Sequence, residues 1–311
     1  MARPAPAGGL VVEEELAMSH PELLESFQRD LRYKQASKWQ KPWIDPGRFV
    51  RNQVRKRLYS RSQLGRLRVV RTFHCPEFTV VSGEKVSEAI GSYGIYDESL
   101  TEAFLHLVEP GQVVVDIGMH IGYYTTLFAC LVGPTGAVHA FEPTPSTREI
   151  AAHNLRRFPQ VKVHPFAVWS SVGKLTFRDY GTEWMGWNSF TDPKAGEELP
   201  APLEFEVATI TLDAFRDSLG KKIALLKIDA ESAEEAILTG GPKLLAEDRP
   251  VISVEVGDIG TSTQSRRPVD ILCSLGYRAW EFAGGRFVAH QPRASYAYDN
   301  LVFASKEREL N

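Results

Sequence analysis

Val113-Val114-Val115-Asp116-Ile117-Gly118-Met119-His120-Ile121-Gly122-Tyr123 is the stretch on which the fold turns. Its first five residues are apolar and β-branched apart from one acid, which suits a strand buried on both faces of a sheet. Gly118 breaks the run, and residues 123–131 then read as a helix stopped by Gly133-Pro134. The same order repeats downstream: strand 137–141 with helix 146–158, strand 161–166, strand 223–228 with a helix ending near Gly240-Gly241, and strand 251–256 with helix 268–275. Strands at 175–177 and 205–210 flank a polar and aromatic excursion, and the chain closes on strands 278–282 and 300–304. This alternation predicts an α/β fold with a doubly wound, mostly parallel sheet. A ligand should lie beyond the carboxyl ends of the strands, where their order reverses. Two closing strands with no helix between them predict that one runs antiparallel to the rest.

The glycine loop restricts that ligand. A dinucleotide fingerprint needs GxGxxG so that backbone can approach a pyrophosphate, and His120 stands where the second glycine would be. A nicotinamide-dependent dehydrogenase is therefore disfavoured. The spacing is DxGxxxG, whose acid would repel pyrophosphate and suits a cationic ligand. S-adenosylmethionine fits, having an ammonium and a sulfonium but no phosphate; a tight turn in any α/β protein is the plainer reading. The next strand ends at Glu142, 24 residues beyond Gly118, where a carboxylate accepts two hydrogen bonds from a ribose diol. Alone, Glu142 could equally cap the helix near Ser146.

Together these segments resemble the FkbM family of S-adenosylmethionine-dependent methyltransferases. The resemblance rests on Gly111, Val115-Asp116-Ile117-Gly118, Gly122-Tyr123-Tyr124-Thr125 and Ala140-Phe141-Glu142-Pro143, then on Leu225-Leu226-Lys227-Ile228-Asp229-Ala230-Glu231-Ser232-Ala233-Glu234. Thr211-Leu212-Asp213 and Asp299-Asn300-Leu301-Val302-Phe303 match in type and order, so the likeness covers roughly residues 90–305. It implies a class I methyltransferase (Rossmann-like) fold of seven strands, carried on residues 86–311 behind a basic helical extension over 1–85. It further implies that Asp116, Gly118 and Gly122, with Met119, His120 and Tyr123, shape the methionine end of the cofactor site. Glu142 would hold the ribose and Ala167-Val168 would lie beside the adenine. The family has Ala-Asn where this chain has Met119-His120, and Gly where it has Ser232. The reaction implied is methylation of a hydroxyl on a small natural product, sugar or glycan; the alternatives are a carboxylate or amine acceptor, including one on a modified peptide, or a nucleic-acid-binding methyltransferase that uses the basic arm.

Methyl transfer is an in-line displacement that needs alignment and, for a hydroxyl, removal of a proton. Asp229 ends its strand facing the expected cleft, with Lys227 two residues earlier on the same side. It is a candidate base or an anchor for the cofactor amine, or else a structural partner of Lys227. His120 is the second base candidate, with an ordinary pKa of about 6.5. Trp184 and Trp187 in the aromatic excursion, with Glu231 and Glu255, are the acceptor-side candidates. Asp229, Glu231 and Glu255 are hard oxygen donors, but nothing in their spacing demands a metal ion.

Charge is uneven along the chain. Residues 29–71 carry 14 Lys/Arg against Asp30 and Asp45, a net +12, while residues 72–311 carry 21 basic and 32 acidic residues, a net −11. The basic block fits either an arm that recruits an anionic acceptor or one that docks on the acidic body or a second subunit. Trp39 and Trp43 are its expected apolar anchors. No zinc-finger, RNP or KH pattern accompanies it, which weighs against nucleic acid. Ser19 and Glu22 have capping-box spacing before a helix over 21–34, and Pro42 and Pro46 then interrupt regular structure. With 43% hydrophobic and 24% charged residues, wholesale disorder is excluded. No apolar run reaches the ~20 residues of a bilayer span. Three scattered cysteines and a start without an apolar leader set the expectation of a reducing cytoplasm.

Overall fold

The computed structural model describes residues 18–58, 64–188, 200–230, 232–257, 266–296 and 299–310. Helix α1 (His20–Gln35) opens as expected, with the Ser19 N–H donating to Glu22 Oε2 at 2.7 Å. The two prolines behave otherwise than expected. Pro42 sits in the first turn of the short α2 (Lys41–Ile44) and Pro46 begins α3 (Pro46–Leu58). A proline's missing N–H costs nothing in a first turn, so these prolines start helices. Asp45 caps α3 by accepting from the Arg48 N–H at 2.8 Å.

An antiparallel pair, β1 (Leu67–Val70) and β2 (Phe78–Val81), follows, then α4 (Lys85–Tyr93) and α5 (Glu98–Leu107). The alternating region runs β3 (Val113–Ile117), α6 (Tyr123–Val132), β4 (Ala137–Phe141), α7 (Pro145–Leu155) and β5 (Val161–His164). Next come β6 (Ala167–Val168), β7 (Gly173–Asp179) and β8 (Leu203–Ile210), then α8 (Leu212–Leu219) and β9 (Leu225–Ile228). The chain ends with α9 (Glu234–Thr239), α10 (Pro242–Glu247), β10 (Val251–Val256), α11 (Arg267–Ser274), β11 (Tyr277–Ala283), β12 (Arg286–Ala289) and β13 (Asp299–Ser305).

The main sheet has the order β12-β11-β13-β10-β9-β3-β4-β5. Strands β5, β4, β3, β9 and β10 are mutually parallel, and β13 is antiparallel to both β10 and β11. The antiparallel closing strand was expected; the count of eight where seven were expected was not. The addition is β12, joined to β11 by Gly284-Gly285. Both glycines have positive φ, 61° and 76°, which a tight two-residue hairpin demands. Segments 167–168, 175–177 and 205–210 lie outside the main sheet, in a three-stranded sheet of order β6-β8-β7.

Chain order reverses between β3 and β9, so the switch point lies there. Every residue of β3 is buried, and its side chains alternate between two cores. Val114 packs with α5 and α6; Val113, Val115 and Ile117 pack with α8 to α11. The first core also takes in Leu23 and Phe27 of α1 and Phe78 of β2, beside Phe104 and Phe128. This corrects the expected anchors of the basic segment. Trp39 and Trp43 are 75% and 88% exposed, whereas Phe27 is wholly buried. The arm is held by its preceding helix and by ion pairs such as Arg48 Nη2 to Asp30 Oδ1 at 2.9 Å.

Phe27→Ala should therefore destabilise the protein by about 3–5 kcal/mol in urea unfolding, since it empties a packed site. Trp43→Ala should stay within about 0.5 kcal/mol, as surface changes do. Equal effects would show that the aromatic pair, and not α1, anchors the segment.

Candidate active site

The loop after β3 is pressed against the chain leaving β9. Gly118 has φ 74°, and a Cβ there would stand 1.8 Å from the Asp229 carbonyl oxygen. No other residue fits, on grounds both of backbone and of space. The Gly118 and Met119 N–H groups both donate to the Phe141 carbonyl at 3.1 Å, which ties the loop to the end of β4.

Glu142 follows β4 and is nearly buried. Its Oε1 accepts the Thr144 N–H at 2.9 Å and its Oε2 the His120 N–H at 3.2 Å. Burial pushes its pKa up to about 6, against the pull of those N–H groups and the neighbouring Arg148. The Thr144 hydroxyl engages the carboxylate as well, within the roughly four acceptor sites that a carboxylate offers. His120 reaches Glu142 from a left-handed backbone, φ 53°, and its Nε2 is buried without a hydrogen-bond partner among the described residues. Burial lowers its basicity, while the charges of Glu84 and Asp229 act the other way.

Lys227 is the buried cation of the site. Its Nζ lies 3.1 Å from Asp116 Oδ1, 3.5 Å from Asp229 Oδ2 and 3.3 Å from the Gly118 carbonyl, and 5.5 Å above the Tyr124 ring. Burial alone would lower its pKa; the two carboxylates outweigh that and hold it above the ordinary value. Asp116 also accepts from Thr125 Oγ1 at 2.6 Å.

A cavity of about 1030 Å³ opens at the switch point. That exceeds the upper end of the range typical for one small ligand. Of the residues expected at the site, Gly118, Met119, His120, Tyr123, Glu142 and Asp229 line it, as do Ala167, Val168, Trp184 and Glu255. Asp116 and Gly122 are not among its lining residues: Asp116 lies beneath the loop on Lys227, and Gly122 caps α6 with φ 86°. Glu231 and the Trp187 side chain lie outside the described residues.

The sequence reading overlooked the wall supplied by α4, by the turn before α5 and by β13. Glu84 caps α4 through the Val86 and Ser87 N–H groups, and Asp97 caps α5 through the Leu100 N–H. Asn300 Nδ2 donates to Asp97 Oδ2 at 3.1 Å, and Asn300 is the register partner of Glu255. Burial and the charges of Asp229, Glu255, Asp97 and Glu84 raise the pKa of the Tyr96 phenol in their midst. The lining carries six carboxylates (Glu84, Asp97, Glu142, Glu183, Asp229, Glu255) against Lys85 and Lys227, so it favours neutral or cationic occupants.

The family model described as the methyltransferase FkbM domain matches residues 116–279. The chain is 30% identical over 203 residues to the 31-O-demethyl-FK506 methyltransferase FkbM of Streptomyces tacrolimicus, covering 55% of this chain and 76% of that protein. The chain belongs to the FkbM methyltransferase family. Among solved structures, methyltransferase FkbM from Methylobacillus flagellatus is similar at TM-score 0.38 and 14% identity, over 66% of this chain and half of that one. An S-adenosylmethionine-dependent O-methyltransferase from Thermotoga maritima is similar at TM-score 0.40 and 15% identity, over 78% and 79% of the two chains. Likenesses this distant say nothing of the substrate.

Both departures from the family pattern fall in left-handed backbone, His120 at φ 53° and Ser232 at φ 71°. Ser232→Gly should relieve that strain and raise stability by about 1 kcal/mol. Gly118→Ala should cost at least ~2 kcal/mol, because Asp229 or the loop must move. Urea denaturation of the two variants checks both signs.

Proposed function

We propose that this methyltransferase takes its methyl group from S-adenosylmethionine and delivers it to a hydroxyl oxygen of a neutral small natural product, sugar or glycan. The observation that carries the reading is Glu142: a nearly buried carboxylate lining the cavity at the end of β4, one loop away from Gly118 at the switch point. A carboxylate in that place suits a ribose diol. Ala167 and Val168 offer small apolar surfaces for a flat base, and Asp229, with a side chain 34% exposed, suits an ammonium. The bound cofactor would supply an electrophilic methyl carbon. Everything else is the work of this chain's side chains.

Asp229 is the first candidate to take the hydroxyl proton, since it lines the cavity and Lys227 at 3.5 Å fixes its carboxylate. His120, neutral through burial, is the second. Asp116 we read as a positioning residue acting through Lys227, because it does not line the cavity. The named activity of the S. tacrolimicus relative, on a 31-O position, supports oxygen as the acceptor atom. The acidic lining favours an amine as the second reading and weighs against anionic acceptors, carboxylates and nucleic acid alike.

Two measurements test this. Glu142 must be ionised to accept both diol protons, and its folded pKa is about 6. Calorimetric affinity for S-adenosylhomocysteine should thus be full above pH 7 and about tenfold lower at pH 5, following the fraction protonated. Glu142→Gln should bind weakly and flatten that profile; an unchanged profile would remove Glu142 from the cofactor site. Asp229→Asn should lower turnover about 10²-fold or more with the fold intact. If only S-adenosylhomocysteine affinity fell, Asp229 would be an anchor and His120 the base.

A further inference from the structure

Helix α3 is amphipathic with its faces exchanged. Its inward side is polar and engaged: Arg48 pairs with Asp30 and lies 4.9 Å over the Tyr33 ring, Asn52 Nδ2 donates to the Ser92 carbonyl at 3.0 Å, and Arg55 reaches Ser92 and Glu88. Its outward side carries Val50 and Val54, 57% and 47% exposed and one turn apart. Trp43, Ile44 and Trp39 precede them in the same solvent-facing segment. A run of large exposed side chains this dense is unlike the scattered exposed residues of an ordinary surface.

Charge narrows the occupant. Between residues 36 and 58 the sequence has seven Lys/Arg and a single acid, Asp45, which Arg48 engages. Lys38, Arg51 and Arg57 are exposed, and Lys38 lies 5.1 Å over the Trp39 ring. A second copy meeting this face across a two-fold axis would set cations against cations. A nucleic acid would answer the cations and leave Val50, Val54 and Ile44 without partners. The surface of an anionic bilayer answers all three chemistries: headgroup phosphates for Lys and Arg, the interfacial layer for tryptophan, and the acyl boundary for the aliphatic side chains.

We propose that the α2–α3 face docks on anionic membrane surfaces. No helix among the described residues is long and apolar enough to cross a membrane, and the proposal concerns surface attachment only. It is independent of the methyl-transfer reading. Its geometry also has a consequence for access: Arg55 and Asn52 hold α3 to α4, whose Lys85, Val86 and Ala89 line the cavity. A docked chain would therefore hold that wall one helix from the lipid.

Co-sedimentation of the full chain with vesicles of roughly seven parts phosphatidylcholine to three parts phosphatidylglycerol tests it, with phosphatidylcholine vesicles as the reference. Binding should be at least about tenfold stronger to the anionic vesicles. It should fall about tenfold in the Trp39→Ala/Trp43→Ala variant and again in Val50→Ser/Val54→Ser. These are surface positions, and S-adenosylhomocysteine affinity should not change in either variant. Absence of binding to anionic vesicles overturns the proposal. So does wild-type self-association in sedimentation velocity that the tryptophan variant abolishes, which would assign the face to a second copy. Binding to single-stranded RNA stronger than to vesicles would overturn it as well.

Discussion

A lysine ammonium in the middle of a parallel sheet is tolerable only with carboxylates closed upon it, and this fold is arranged around that constraint. Lys227 and Asp116 are register partners on β9 and β3, the two strands that flank the switch point. Asp229 closes from the end of β9, and the Gly118 carbonyl accepts a further contact. Taking Asp116 away would leave the buried ammonium facing only the partly exposed Asp229 at 3.5 Å, which costs far more than a surface pair is worth. The triad thus fixes where the glycine loop stands relative to Asp229, and that spacing defines the floor of the cavity.

The second constraint is steric. Only without a Cβ at Gly118 can the loop lie this close to the Asp229 carbonyl. The chain then turns through His120 in a left-handed conformation, which aims the His120 N–H at Glu142. Strain at a cleft is tolerated where surrounding contacts over-determine the backbone. Here those contacts are the Gly118 and Met119 bonds to Phe141 and the two N–H groups on Glu142. The parts of the site are thus held from two strands at once.

How much of this was legible in the sequence follows from the same physics. Strands β3, β4, β9 and β10 announce themselves, because burial on both faces leaves a mainly apolar run with one or two polar residues in it. Glu142 and Asp229 are readable as acids at strand ends, and Lys227 as an odd charge in such a run. The Asp116–Lys227 pairing was not readable, since it depends on register between strands more than a hundred residues apart. Glu84 and Asp97 escaped notice because a helix-capping acid looks like any surface acid until the fold turns it toward a cavity. The β11–β12 hairpin was marked by Gly284-Gly285 and passed over. Trp39 and Trp43 misled for a simpler reason: an aromatic residue signals burial, and here the helix beneath them is already satisfied by Asp30, Ser92 and Glu88.

The uneven charge acquires a structural meaning from that last point. The basic segment does not neutralise the acidic cavity. Arg48 is taken by Asp30, and Arg55 and Arg68 share Glu88, so these inward cations are consumed locally. Lys38, Arg51 and Arg57 remain outward, while the carboxylates around Tyr96 keep their field inside the cleft. Screening over about 8 Å at physiological ionic strength separates fields that face different ways. One chain can therefore present a positive, apolar exterior and a negative interior. The two fields face different ways, so the charge of the arm does not describe the field inside the cleft.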